Sequence, residues 1–91
     1  MSTIPVSAML TSINEPIRVG AVFERGQIKP AWFIWQGRRY EHCQVTMRWQ
    51  TKLGTASILH LSLSDGLNYF ELTFNQHTLA WRLAAITGPG G

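Results

Sequence analysis

Ninety-one residues, 45% hydrophobic and 14% charged, exclude a disordered polyampholyte and leave room for one domain. A net charge of +3, with arginine at six of eight basic positions, permits an anionic partner but is a weak excess for a dedicated nucleic-acid module. The single cysteine, Cys43, excludes an intrachain disulfide and a Cys-rich metal site, and no window approaches the roughly 20 apolar residues of a membrane-spanning helix.

In chain order, residues 1–16 read as a leader, flexible or one helical turn, bracketed by Pro5 and Pro16. It has no charged start and no long apolar run, so no signal peptide is expected, and the expected location is cytoplasmic with no membrane contact. Residues 17–86 then show two-residue alternation, β-branched and aromatic enrichment and closely spaced turn residues. Six strands are predicted, over 17–23, 28–36, 39–50, 56–64, 67–75 and 78–86. Their connections are Arg25-Gly26, Gly37-Arg38, the loop TKLGT, Asp65-Gly66 and Gln76-His77, and 87–91 is a flexible tail. Short connections make this an all-β antiparallel meander. With no helix to cover its apolar face, the sheet forms a small barrel or coils strongly; a homodimer with facing sheets is the other solution.

Two-residue loops fix a register. Asp65-Gly66 pairs Leu63 with Asn68, Leu61 with Phe70, Leu59 with Leu72 and His60 with Glu71; Gln76-His77 pairs Phe74 with Leu79, Leu72 with Trp81, Phe70 with Leu83 and Glu71 with Arg82. Leu59, Leu61, Leu63, Phe70, Leu72, Phe74, Leu79, Trp81 and Leu83, joined by Cys43, Val45, Met47 and Trp49, give one inward face. The opposite face carries Thr46, His60, Glu71 and Arg82 in a row, extended by Tyr40, His42, Arg48, Tyr69 and Ile58. Opposite charges on neighbouring strands add about 0.2–1 kcal/mol each and help to fix pairing. The same groups also suit an acid–base pair or an anion site, but the outside of a meander offers no pocket.

Residues 31–43, AWFIWQGRRYEHC, hold two tryptophans beside two arginines. A Gly37-Arg38 loop pairs Trp35 with Tyr40 and Phe33 with His42 and turns Trp32 and Ile34 inward; a bulge at Gly37 puts Phe33 and Trp35 in the core instead. Core or interface packing competes here with a stacking platform for bases built on Trp32 or Trp35. The three histidines, His42, His60 and His77, do not fall at metal-ligand spacing, so no metal and no cofactor is expected. Cys43 reads as a core thiol and not a nucleophile.

EPIRV at 15–19, FIWQGRRY at 33–40, Arg48-Trp49, YFELTFN at 69–75 and LAWRLAAI at 79–86 together resemble a family of small bacterial β domains. They are similar to the C-terminal segment of ImuB-type proteins, the inactive Y-family polymerase homologues of bacterial damage-induced mutagenesis. Family members carry a longer, Trp-rich loop after the third strand, where this chain has only TKLGT, and an acidic residue before the last strand, where it has Asn75-Gln76-His77. The resemblance brings no catalytic residue. It implies a non-enzymatic binding module with a protein partner, linked to bacterial DNA repair; the predicted polar face and hairpin tip, Arg38, Arg39, Tyr40, His42, Arg48, His60, Tyr69, Glu71 and Arg82, are the candidate recognition surface. Single-stranded nucleic-acid binding by the same face with Trp32 or Trp35 is the alternative.

Overall fold

The computed structural model describes residues 10–88, all strand and turn without a helix. Eight strands are formed: β1 (Leu10–Pro16), β2 (Arg18–Glu24), β3 (Gln27–Trp35), β4 (Arg38–Glu41), β5 (Gln44–Leu53), β6 (Ala56–Ser64), β7 (Tyr69–Asn75) and β8 (Ala80–Thr87). They make two antiparallel sheets, one ordered β1-β8-β7-β6-β5 and one ordered β2-β3-β4. The expected barrel does not close. The chain instead lays its small sheet over the apolar face of its large one.

Two strands bend from one sheet into the other, which is why six predicted strands become eight. β1 passes into β2 across Ile17, whose N–H still donates to Trp81 O at 3.3 Å. The strand expected over 39–50 breaks at His42, which takes a left-handed φ of 61°, and continues as β5. β5 also runs through Lys52 and Leu53, where a loop was expected, and turns at Gly54-Thr55.

The leader is corrected in part. Its residues from Leu10 onward form β1, an edge strand in which Ile13 packs against the core. A bulge between Ser12 and Glu15, with Asn14 at φ 53°, interrupts the alternation that would have shown it. The rest of the leader, 1–9, and residues 89–91 of the tail lie outside the described residues.

The loops 65–68 and 76–79 each hold four residues, not two. Asp65 Oδ1 accepts the Leu67 and Asn68 N–H groups at 2.9 and 2.7 Å, and Asn75 Oδ1 accepts those of His77 and Thr78 at 2.8 and 3.0 Å. These side chains bond the backbone ahead of them and widen the turn. The register therefore moves by two next to each loop: Leu63 pairs with Phe70, Leu61 with Leu72, Leu59 with Phe74, and Phe74 with Trp81; past a bulge in β8 opposite Glu71 and Leu72 it moves by three, and Phe70 pairs with Ile86. A shift of two keeps every side chain on its face. Leu59, Leu61, Leu63, Phe70, Leu72, Phe74 and Leu83 are accordingly buried as expected, and Trp81 packs against them.

The inner face of the small sheet supplies the other half of the core. Arg25-Gly26 and Gln36-Gly37 are two-residue turns with positive φ at both positions, as tight hairpins of right-handed twist require. The second sets Phe33 opposite Tyr40 and Trp35 opposite Arg38, so Phe33 and Trp35 face inward without a bulge at Gly37. Phe33 is 0% exposed; it stacks on Tyr40 at 4.7 Å and meets the edge of Phe70 at 5.4 Å. Pro30 sits in the central strand beside a bulge at Ala31, where the ladder is already interrupted.

Asp65 also carries a pH signature. The Asn68 N–H holds its carboxyl below the usual range; burial opposes this, and the Leu67 N–H adds to the lowering. A depressed folded value means that the stabilisation is complete above the ordinary aspartate pKa of about 4 and fades as pH falls through the lower folded value. Asp65→Asn, which keeps the acceptor and removes the charge, is expected to flatten the loss of thermal midpoint below about pH 4. An unchanged acid limb would assign that limb to other carboxylates.

Candidate functional site

The expected polar row does not survive intact, and the reason lies in β5. A bulge between Val45 and Met47 leaves Thr46 extra, and its hydroxyl donates to Ser62 O at 3.2 Å and does not lie beside His60. One inserted residue exchanges the faces of everything after it. Met47 and Trp49, expected inside, turn outward, and Arg48, expected outside, turns in between the sheets. There its Nη1 donates to Ile28 O of the small sheet at 2.8 Å. At the other side of the sandwich Trp35 Nε1 donates to Glu15 Oε1 at 3.0 Å, so one polar bond ties the sheets near each flank.

Trp49 takes the place expected for Thr46. It pairs with His60 across β5 and β6 and stacks on the imidazole, with centroids 5.0 Å apart and planes 11° from parallel. His60 Nδ1 lies 3.2 Å from Glu71 Oε2, so this expected contact forms, though diagonally, since Glu71 pairs with Ser62. His60 Nε2 lies 2.8 Å from Thr51 Oγ1. The order hydroxyl, imidazole, carboxylate is that of an acyl-transfer triad. Both ring nitrogens are engaged, as in such a triad, and Trp49 covers one face of the ring, so the imidazole is held in a fixed orientation. Arg82 does not meet Glu71; it pairs with Thr73, and its guanidinium donates to Asn14 Oδ1 at 3.0 Å and Asn14 O at 2.6 Å. The arginine thereby clamps the bulge of the edge strand. Tyr69 is exposed on this outer face, opposite Ser64 and Thr87.

The remaining candidates sit on or near the small sheet. Tyr40 belongs to the core, because the Gln36-Gly37 turn brings it opposite Phe33. Arg38 is exposed at the hairpin, its guanidinium 5.0 Å from the Tyr40 ring. His42, at the corner between the sheets, is exposed with Nε2 3.6 Å from Glu41 Oε1. Trp35 is half-buried against the core, and Trp32 is on the outer face. Burial, helped by the Asp65 carboxylate, pushes the Cys43 thiol up, which keeps it protonated and inert. Leu79, expected inside, is exposed at a φ of 64°. Among the described residues no three His, Cys, Asp or Glu side chains converge, and no helix is long and apolar enough to cross a membrane.

The outer face of the small sheet holds the clearest construction. Trp32 lies between Gly20 on β2 and Glu41 on β4. A Cβ at Gly20 would stand 2.1 Å from Trp32 Cε2 and 2.2 Å from Nε1, so the indole rests directly on the glycine backbone. The Arg39 guanidinium lies over the indole, 4.5 Å from its centroid, and is ion-paired to Glu41. Such contacts contribute roughly 0.5–1 kcal/mol at exposed sites. Ile34 and Arg18 continue the surface along the next cross-strand row. Gly20 was not among the expected residues; a glycine inside a strand pattern, which marks close approach of another group, was its signal.

No protein-family model, curated protein or solved structure matches this chain. The outer face of β2-β3-β4 is therefore read from its own chemistry. Gly20→Ala is expected to push Trp32 off the sheet, red-shift the tryptophan emission and cost about 1–3 kcal/mol in urea unfolding, the range for overfilling a packed contact. An unchanged spectrum and midpoint would show that the indole does not depend on the glycine.

Proposed function

We propose that this chain is a non-enzymatic binding module that recognises a protein partner through the outer face of β2, β3 and β4. The observation that carries this reading is the flat Trp32 on Gly20 with Arg39 above it. Tryptophan and arginine are the residues that most often anchor protein interfaces, and a ring already immobilised loses little entropy on binding. The polar groups of the large sheet, by contrast, are engaged within the molecule: His60 with Thr51 and Glu71, Arg82 with Asn14. Charges around Trp32 are mixed, with Glu24 3.7 Å from Lys29 and Glu41 paired to Arg39, which suits a protein surface better than a polyanion. The resemblance to ImuB-type C-terminal segments supports a cytoplasmic partner in bacterial DNA damage tolerance.

Single-stranded nucleic acid is the second reading. Arg18, Arg25 and Arg38, all on this sheet or its turns, have no carboxylate within ion-pair distance among the described residues, and a base stacks on an indole at roughly 1–3 kcal/mol.

Two titrations separate the readings, each followed by tryptophan emission at low and at physiological salt. One uses an ImuB-type protein, the other a labelled single-stranded oligonucleotide. The protein reading expects saturable binding to the first, little changed by salt and weakened at least about tenfold by Trp32→Ala or Arg39→Ala. Oligonucleotide binding that falls steeply with salt would put the nucleic-acid reading first, because phosphate contacts release counterions. No response in either titration would remove both.

A further inference from the structure

A cleft of about 610 Å³ opens between the two sheets, on the side of the β2–β3 turn and the β7–β8 loop. This volume falls within the roughly 300–1,000 Å³ of small-ligand sites. The buried side chains of Ile28, Leu59 and Phe74 form its floor. Phe23 and Leu79 form its rim, and they are 77% and 68% exposed although each is a large apolar side chain. Leu79 holds that place at a left-handed φ of 64°, where glycine or asparagine would satisfy the turn without strain. Local structure therefore does not account for an exposed leucine here.

Arg48 forms the wall. Its guanidinium is half-buried and spends one N–H on Ile28 O. Among the described residues no carboxylate lies within ion-pair distance of it. An arginine has five N–H donors in a planar fork, so this one has donors left for an anion entering the cleft. A half-buried cation without a counter-charge beside an open apolar floor is complementary to one kind of molecule.

We infer that the cleft is a binding site for a small amphipathic monocarboxylate, its apolar chain on Ile28, Leu59 and Phe74 between Phe23 and Leu79, its carboxylate on Arg48. The site is separate from the outer face of the small sheet and does not rest on the function proposed for that face. A single cation favours one carboxylate over a phosphorylated or dianionic ligand.

Isothermal titration of the full chain with decanoate, below its micellar concentration, tests the assignment. Saturable one-to-one binding is expected, with the uncharged decanol weaker by roughly tenfold or more, as for loss of a hydrogen bond to a charged group. Arg48→Gln should bring decanoate down to the affinity of decanol. Because Arg48 also bridges the sheets, Phe23→Ser and Leu79→Ser provide the variants in which folding is not at stake; both should weaken decanoate and decanol alike. No binding by the native chain, or binding indifferent to both rim substitutions, would overturn the proposal. So would tighter binding of an apolar peptide through its free C-terminal carboxylate. A dimer in sedimentation velocity that Phe23→Ser abolishes would assign the cleft to a second copy of the chain and likewise overturn it.

Discussion

The pleat of a β-strand sends alternate side chains to opposite faces, and in this chain almost everything follows from where that alternation is kept and where it is broken. Along β6 and β7 it is kept without a fault, and Leu59, Leu61, Leu63, Phe70, Leu72 and Phe74 form one continuous apolar surface. Such a surface has to be covered, and the described residues hold no helix to do it. The chain uses its own first half, folded as a second sheet whose Phe33 stands at the centre of the interface. The aromatic cluster of Phe33, Tyr40 and Phe70 is what joins the layers, since few backbone bonds cross between them.

Where the alternation is broken, the chemistry appears. The bulge at Thr46 brings a guanidinium into the space between the sheets and sends an indole out onto His60. The bulge at Asn14 creates the carbonyl and amide that hold Arg82. The bulge at Ala31 lets Pro30 and Phe33 both face inward and leaves Trp32 outside, over the one strand position without a side chain. Three inserted residues thus decide which charged and aromatic groups are sealed, which brace an edge and which remain open to a partner.

This also explains what the sequence disclosed. The all-β class, the meander and the inward face of β6, β7 and most of β8 were legible because hydrophobic alternation is a strong signal that survives a register error of two. Asp65 and Asn75 lengthened their turns by side-chain bonding, which changed the partners, Glu71 to Ser62 and Arg82 to Thr73, but not the faces. A bulge changes the face itself and leaves no mark in composition, so Arg48, Trp49 and Met47 were assigned to the wrong sides. β1 was hidden because an edge strand with one core residue, Ile13, offers almost no pattern to read. The candidate site was legible as residue types and not as an arrangement: Trp32 and Arg39 were noticed, while the glycine that positions them was not.

β1 pairs only with β8, and Leu10 finds its partner in Thr87. Among the described residues the first strand is therefore completed by the last. During synthesis β5, β6 and β7 can assemble as they emerge, but the large sheet keeps an open edge until β8 has been made. Contacts between the two ends of a sequence are slow to form, because the entropy of closing the loop is lost before any bond repays it. For this protein the interval between translation of β7 and docking of β8 is the time during which its leucine-rich face is least protected, and the chaperones that meet the nascent chain have that interval in which to act.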